Sequence, residues 1–438
     1  MGHVNGKDIY RKLGKKIDNL TVRAPWNEAF YGMLTKLYSA EEADILIKMP
    51  YGLSNLERVS KITNYERSKL HKNLKSMCSR GLVMDLRLKD EYYYMPSPMV
   101  IGIFEFTMMR TGENLNTKEW ARLFHEYMHR DDSFWAANFE GGEKVSVMRA
   151  LPHEEAISTS GFIEVLDYER AASLVEEFDK FSIGLCSCRH EKLHIDKKQC
   201  DVVLDSCSSF GVAADYLIRN GLAKEVSKAE MLENIGRSKE LGLVLNADNV
   251  KKNITYICHC CKCCCNALLG ISKHGYANVI VTSSFIAEVD ESKCLGCGKC
   301  SEACPINAIE MVPITENLES KKKANSKIDK SICLGCGVCG LKCNAKAVKL
   351  VKRGKRVIHP ETTFERIILQ CLERGTLQNQ IFDNPQSITQ KAMRGFLGGF
   401  LRLSPVKKSL MSDMLRSSFL ASMKLGTRMQ GKGWLTEM

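Results

Sequence analysis

The sequence predicts an α+β chain built from several domains, and three features predict it. Residues 39–96 hold three successive helix starts followed by two short β-stretches around a turn. Residues 290–312 recur at 329–351 without a gap, at an offset of 39, with 11 of 23 positions identical. From residue 361 onward the pattern is helical and basic.

Taken in order, Ser39 with Glu42, Ser54 with Glu57 and Thr63 with Glu66 each pair an N-cap hydroxyl with a carboxylate three residues on. Such pairs satisfy orphaned backbone N–H groups at a helix start. The third helix, NYERSKLHKNLKSMCSR, stops before Gly81, a suitable C′ residue. VMDLRL, a KDE turn and YYYM then read as a two-stranded ribbon, so the arrangement is winged-helix-like. Residues 97–180 are mixed, with helices expected at Trp120–Trp135 and Asp167–Phe181 and a break at Gly141-Gly142. Segment 208–246 reads as helical stretches punctuated by Gly211, Gly221, Gly236 and Gly242. The Lys-rich insert 313–328 between the repeats reads as an exposed loop. In the tail, Leu410, Met411, Met414, Leu415, Phe419 and Met423 fall near one helical face, and residues 387–438 carry nine Lys/Arg against two acidic residues.

At 438 residues the chain is long enough for about three domains. Hydrophobic residues make 44% and charged residues 26%, which excludes wholesale disorder. No apolar run approaches the ~20 residues that span a bilayer. MGHVNGKDIYRKLGKK lacks an apolar secretory core, and Gly6 stands where a myristoylation signal needs Ser or Thr, so a cytoplasmic protein is expected.

Twenty cysteines in such a protein are not a disulfide framework. They cluster: eight lie in 294–343, ten in 186–265, and Cys78 and Cys371 stand alone as expected buried apolar thiols. C-x2-C-x2-C-x3-C occurs twice. Three thiolates at this spacing reach three corners of a four-iron cubane, and the fourth points to the other cluster. Cluster one then takes Cys294, Cys297, Cys300 and Cys343; cluster two takes Cys333, Cys336, Cys339 and Cys304. Gly296, Gly298, Gly335 and Gly337 let backbone N–H groups approach the sulfurs. A zinc ribbon needs paired C-x2-C units instead. Each cubane on four thiolates subtracts two charges, so the formal +12 overstates the basicity and is weak evidence for nucleic-acid binding.

The central cysteines are Cys186, Cys188, Cys200, Cys207, Cys258, Cys260, Cys261, Cys263, Cys264 and Cys265. No single cubane uses six neighbouring thiolates, and ten exceed the eight that two cubanes need. The region reads as one or two further iron–sulfur clusters with spare thiols, Arg189 offsetting cluster charge. A structural zinc site and unliganded buried thiols are the competing readings.

Over about sixty residues the repeats resemble bacterial-type 2[4Fe-4S] ferredoxins, which implies one-electron transfer through two close clusters. Asn344 stands where the first motif has Pro305, and the longer intervening loop offers Lys321, Lys322 and Lys323 to a docking partner. Across roughly 30–350 the chain resembles multi-cluster iron–sulfur proteins of anaerobic microbes, on the C-x-C-R and C-x-C-C-x-C-C-C segments and Gly102-Ile103-Phe104-Glu105-Phe106. That resemblance implies an electron carrier serving a larger redox enzyme. The expected domains are an extension (1–38), a winged-helix-like domain (39–100), a mixed Cys-rich central domain (101–285), a ferredoxin-like dicluster domain (286–356) and a basic helical segment (357–438). That segment reads as a subdomain docked on the rest of the chain with a solvated basic face or, alternatively, as one that docks a membrane surface or an acidic partner.

His125-Glu126-Tyr127-Met128-His129 matches H-E-x-x-H, but no third-ligand signature follows; Glu140, Glu143 and His153 are unspecific, and surface histidines are expected. No Walker A motif occurs. The leading expectation is an electron-transfer protein or subunit. The alternatives are a redox-sensing DNA-binding protein reading DNA with Arg67, Lys69, Lys72, Lys75 and Arg80, and a catalyst with an open central cluster.

Overall fold

Ser39 opens the helix Ala40–Lys48 with the reciprocal bonds its spacing demands: Glu42 N donates to Ser39 Oγ at 3.2 Å and Ser39 N to the Glu42 carboxylate at 2.9 Å. The computed structural model describes residues 2–438 except 89, 114, 159–164, 315–323, 355–356 and 358, with side chains from residue 8. The next two caps differ from the sequence expectation. Ser54 is drawn into strand β1 (Ser54–Asn55), so Asn55 caps the helix Leu56–Thr63 by accepting from Arg58 N at 3.1 Å. Thr63 stays inside that helix, donating to Val59 O at 2.8 Å, and Glu66 caps Arg67–Ser79 through the N–H groups of Ser68 and Lys69. β2 (Val83–Leu88) and β3 (Glu91–Pro96) follow, giving an antiparallel sheet of order β1-β3-β2.

This unit is covered on both sides. Helices Gly2–Asp18 and Glu28–Leu37 contribute Leu13, Ile17, Phe30 and Met33 to the same apolar core as Leu70 and Leu74. The C-terminal segment lies on the hairpin, with Trp434 and Tyr93 ring centroids 4.8 Å apart and Arg58 bonded to Asp383 at 2.6 Å.

The helical stretches expected in 208–246 are present as Gly211–Arg219 and Lys228–Glu240, but the segments around them are strands of a sheet that the sequence reading did not contain. Strands β4 (Met148–Leu151), β5 (Phe181–Leu185), β6 (Asp205–Phe210), β7 (Ala223–Val226), β8 (Val244–Asp248) and β9 (Tyr256–Cys260) form one six-stranded antiparallel sheet of order β4-β8-β9-β6-β5-β7. The helix expected at 167–181 shrinks to Ala171–Glu176, because Phe181 begins β5. The one expected at 120–135 divides into Thr117–His129 and Ser133–Phe139. One face of the sheet buries Leu245, Ala247 and Ile257 against Leu174 and Ile235; the other carries Cys258 and Cys260.

In the repeats, β10 (Phe285–Val289) precedes the first motif and pairs with β13 (Val348–Lys352) after the second. β11 (Ile309–Pro313) follows the first motif and pairs with β12 (Ala324–Ile328). The 313–328 insert is therefore part strand: five residue pairs of β11 and β12 draw its end into the fold. Lys321, Lys322 and Lys323 lie outside the described residues.

Beyond 361, helices Thr363–Glu373, Leu377–Ile381, Ile388–Leu401, Ser404–Leu410 and Arg416–Met429 pack around Ile368, Leu372, Leu377 and Leu420. The expected continuous face breaks after Leu410: Phe419 and Met423 pack inward, while Met414 is 82% exposed. Among the described residues no helix is long and apolar enough to cross a membrane.

Candidate metal centres

In each repeat a loop holds the first two cysteines, a short helix (Lys299–Ala303 or Val338–Leu341) carries the third, and the fourth follows that helix. Gly296 and Gly335 are required where the loop crosses a neighbouring strand. Both have positive φ (68° and 70°), and a Cβ at Gly335 would stand 2.1 Å from the Phe285 carbonyl oxygen. One cavity is lined by Cys294, Cys297, Cys300 and Cys343, the other by Cys304, Cys333, Cys336 and Cys339. Each repeat's fourth cysteine thus sits with the three of the other repeat.

Hydrogen-bond donors aim at these sulfurs. Ala308 N donates to Cys304 Sγ at 3.2 Å, and Ser326 Oγ on β12 lies 3.1 Å from Cys300 Sγ. Burial pushes the Cys336 thiol up to about 12, so it yields its proton only when a metal replaces it. Cys297 is exposed, whereas Cys333, Cys336 and Cys339 are buried. Cys294 and Cys300 are buried as well, so the exposure of the first set is confined to Cys297 and, in part, Cys343.

The ten central cysteines divide into two groups. Cys200, Cys261, Cys263 and Cys264 form a compact quartet whose sulfurs all lie within 4.8 Å of one another. The other six surround an apolar cavity of about 110 Å³ that also meets Phe104, Trp135 and Phe139. Strand register explains three of them. Cys258 and Cys260 share a face of β9, and the β6–β9 register sets Cys207 across from Cys258. The Cys258 thiol neighbours those of Cys207 and Cys260, and the Cys260 thiol that of Cys265. Cys186 and Cys265 stand at the N-termini of the helices Ser187–His194 and Asn266–Ser272, and Cys188 lies within reach of Cys265. Burial pushes the Cys186 thiol up to about 12.

Arg189 is fully buried between the two groups, donating to Ser206 Oγ at 2.5 Å and to the His259 carbonyl. Burial opposes its charge, but Cys186 and Cys261 hold its pKa above the usual value. Asn246, fully buried on β8, has no nitrogen or oxygen partner and faces the Cys260 thiol. A buried amide left for sulfur alone fits a thiolate-bound inorganic core, as does this all-thiol donor set.

Asn246, Glu191 and Asn266 are silent in the sequence, and Glu105 stands out there only as part of the 102–106 segment. Glu105 lines the cavity, and burial raises its carboxyl to about 7. The H-E-x-x-H histidines differ from the surface pair expected. His129 is buried, its Nε2 2.8 Å from Asn266 Oδ1 and its Nδ1 3.1 Å from His274 Nε2. His125 Nδ1 meets Glu191 at 3.0 Å, and Glu191 also binds Lys192 at 2.6 Å. Glu126 points away and pairs with Arg122 at 2.7 Å. This polar network borders Cys188 and Cys265; the i, i+4 spacing of the histidines was its one sequence signal. His153 lies elsewhere, its N–H donating to the Cys336 carbonyl at 2.9 Å and its Nε2 2.8 Å from the Leu243 carbonyl.

Residues 293–347 match a known family, the 4Fe-4S dicluster domain. The match spans both cysteine motifs and leaves the rest of the chain outside it. No curated protein and no solved structure matches the chain. The dicluster match and the clustered cysteines support an iron–sulfur protein with an electron-transfer role.

Proposed function

We propose that the chain passes single electrons between a partner redox protein and its own centre. Cys294, Cys297, Cys300 and Cys343 would hold one four-iron cluster; Cys304, Cys333, Cys336 and Cys339 a second; and a subset of Cys186, Cys188, Cys207, Cys258, Cys260 and Cys265 a third. When bound, such clusters take up and release one electron at a time. The supporting observation is the placement of the three thiol-lined cavities. The Cys294 cavity opens at the surface, and Cys260, Cys265, Cys300, Cys304, Cys333, Cys336 and Cys339 belong to one continuous apolar core.

The chain's own residues serve this in three ways. The apolar core excludes water from the thiols. Arg189, Asn246, Ser326 and the Ala308 N–H offer charge or hydrogen bonds to sulfur, the contacts through which a protein tunes potential. His153 ties the Cys336 loop to the central sheet.

The partner surface we favour is the tail. Ile388, Phe396 and Phe400 are exposed on the helix Ile388–Leu401, in a segment with a marked basic excess, which suits an acidic redox partner or an anionic membrane surface. A cytoplasmic setting accords with cysteines free of disulfides.

Redox-sensing DNA binding is the second reading. The exposed Arg67, Lys72 and Lys75 of the winged-helix-like unit favour it. The hairpin that would act as a wing is engaged instead, Tyr93 by Trp434 and Asp85 by Arg219. Salt-dependent binding to a duplex would promote this reading.

The test is iron, acid-labile sulfide and low-temperature paramagnetic resonance of anaerobically purified protein during reductive titration. About 12 iron atoms and three reducible signals are expected. Protein with fewer than about 8 iron atoms after reconstitution, or with no reducible signal, would overturn the proposal.

A further inference from the structure

The quartet is built differently from the three cavities, and we propose that Cys200, Cys261, Cys263 and Cys264 hold a single zinc ion as a redox-silent tetrathiolate site. Cys200 Sγ is 3.6 Å from Cys261 Sγ and 4.0 Å from Cys264 Sγ; Cys263 Sγ is 3.9 Å from Cys261 Sγ and 3.4 Å from Cys264 Sγ. Four sulfurs at a Zn–S bond of about 2.3 Å sit at tetrahedron corners about 3.8 Å apart. In a four-iron cage each thiolate caps a different iron and points outward, so the sulfurs stand farther apart. A two-iron core would split them into two separated pairs. Among the described residues, no other group of three or more Cys, His, Asp or Glu ligand atoms gathers within 4.8 Å.

Local structure explains how so dense a run converges. Residues 262–264 form a turn directly after β9, closed by Cys265 N donating to Cys261 O at 3.2 Å. The turn sends Cys261, Cys263 and Cys264 to one side and leaves Cys265 to begin the next helix over the cavity. Cys200 arrives from the long loop between the helix Ser187–His194 and β6, positioned by Lys198 Nζ on its carbonyl. The C-x-C-C spacing is tighter than in zinc fingers, and the tight turn is what makes it workable.

Charge fits as well. Zinc on four thiolates is a net −2 unit, and the buried Arg189 guanidinium stands beside Cys261. Zinc is soft enough for sulfur, prefers tetrahedral packing and takes no electron. Cys261 and Cys264 also wall the central cavity, so the ion would act as a fixed post that keeps spare thiols out of the redox centre. This inference does not rest on the electron-transfer reading.

The test uses the full chain, purified anaerobically from zinc- and iron-replete cells, with zinc and iron measured together. About one zinc per chain is expected. Cys200→Ser should lose that zinc while iron content and the reduced-state paramagnetic signals stay unchanged. Iron falling in Cys200→Ser, or wild-type protein without zinc, would overturn the assignment. Should Cys200→Ser not fold, cobalt replacement of the wild-type ion decides: visible bands of tetrahedral cobalt thiolate support the site, and their absence removes it. Loss of every reducible signal with zinc retained would sink the proposed function and leave this inference standing.

Discussion

Lys262, in the middle of the densest run of cysteines, leaves that run entirely: its ammonium donates to the carbonyl of Glu302 at 3.2 Å, on the turn of helix between Cys300 and Cys304. It also bears electrostatically on Cys304. One side chain thus joins the central region to the repeat segment beside Cys304, which lines a cavity with Cys333, Cys336 and Cys339.

Removing that charge should make the neighbouring centre harder to reduce. An exposed ion interaction is worth up to about 1 kcal/mol, which for one electron is about 40 mV. Lys262→Met is expected to lower the midpoint of one reducible signal by about 10–40 mV in a redox titration, leaving iron content unchanged. An equal shift in every signal would mean that Lys262 acts only through net charge.

The crossed cavities predict an asymmetric outcome for two serine variants. Cys343→Ser should cost the centre beside the exposed Cys297, and Cys304→Ser the buried one, each by about 4 iron atoms. Distinct signals should vanish in the two proteins. If both variants lost the same signal, the crossed pairing would be wrong.

Asp383 predicts an acid limit on the docking of the tail. Burial works against its charge, yet the hydrogen bond from Arg58 and the nearby Lys432 hold its carboxyl below the usual range. A depressed folded pKa adds stability above the unfolded value of about 3.9, and that stability is lost as pH falls through the folded value. Asp383→Ala is expected to cost about 3 kcal/mol at neutral pH, measured by denaturant unfolding. Its unfolding should be less sensitive than wild type to acid below about pH 4.

The histidine motif predicts opposite results at two neighbouring positions. Glu126→Ala removes an exposed pair with Arg122 and should change stability by less than about 0.5 kcal/mol. His129→Ala empties the space of a buried ring and removes its contact with Asn266 Oδ1, and should cost about 2 kcal/mol in thermal unfolding. Were Glu126 the general base of a zinc protease, its loss would instead abolish a peptidase activity that the wild type possessed.

Legibility followed the range of the interaction. The repeat cysteines share cavities in the groups that their spacing suggests, because three cysteines of each group lie within seven residues of chain. The ten central cysteines could not be divided, because the division depends on the β6–β9 register that sets Cys207 opposite Cys258. The sheet itself was hidden by its strands: β8 is buried at all five residues and β7 is four residues long, so neither shows clean alternation. Helix caps were read correctly at Ser39 and misread at Ser54 and Thr63. There, a strand pairing with Tyr94 and a hydroxyl bond to Val59 outcompeted the local signal.

The continuous core has a consequence for biogenesis. Thiols from Cys260 to Cys339 are packed in the same apolar interior as Leu13, Phe30 and Trp135, so the fold closes over its ligand sets from elements far apart in sequence. Delivery of iron and sulfide must therefore precede or accompany that closure. A chain synthesised under iron limitation would keep its interior ajar, and it would be the newly made pool, more than the finished protein, that proteases clear.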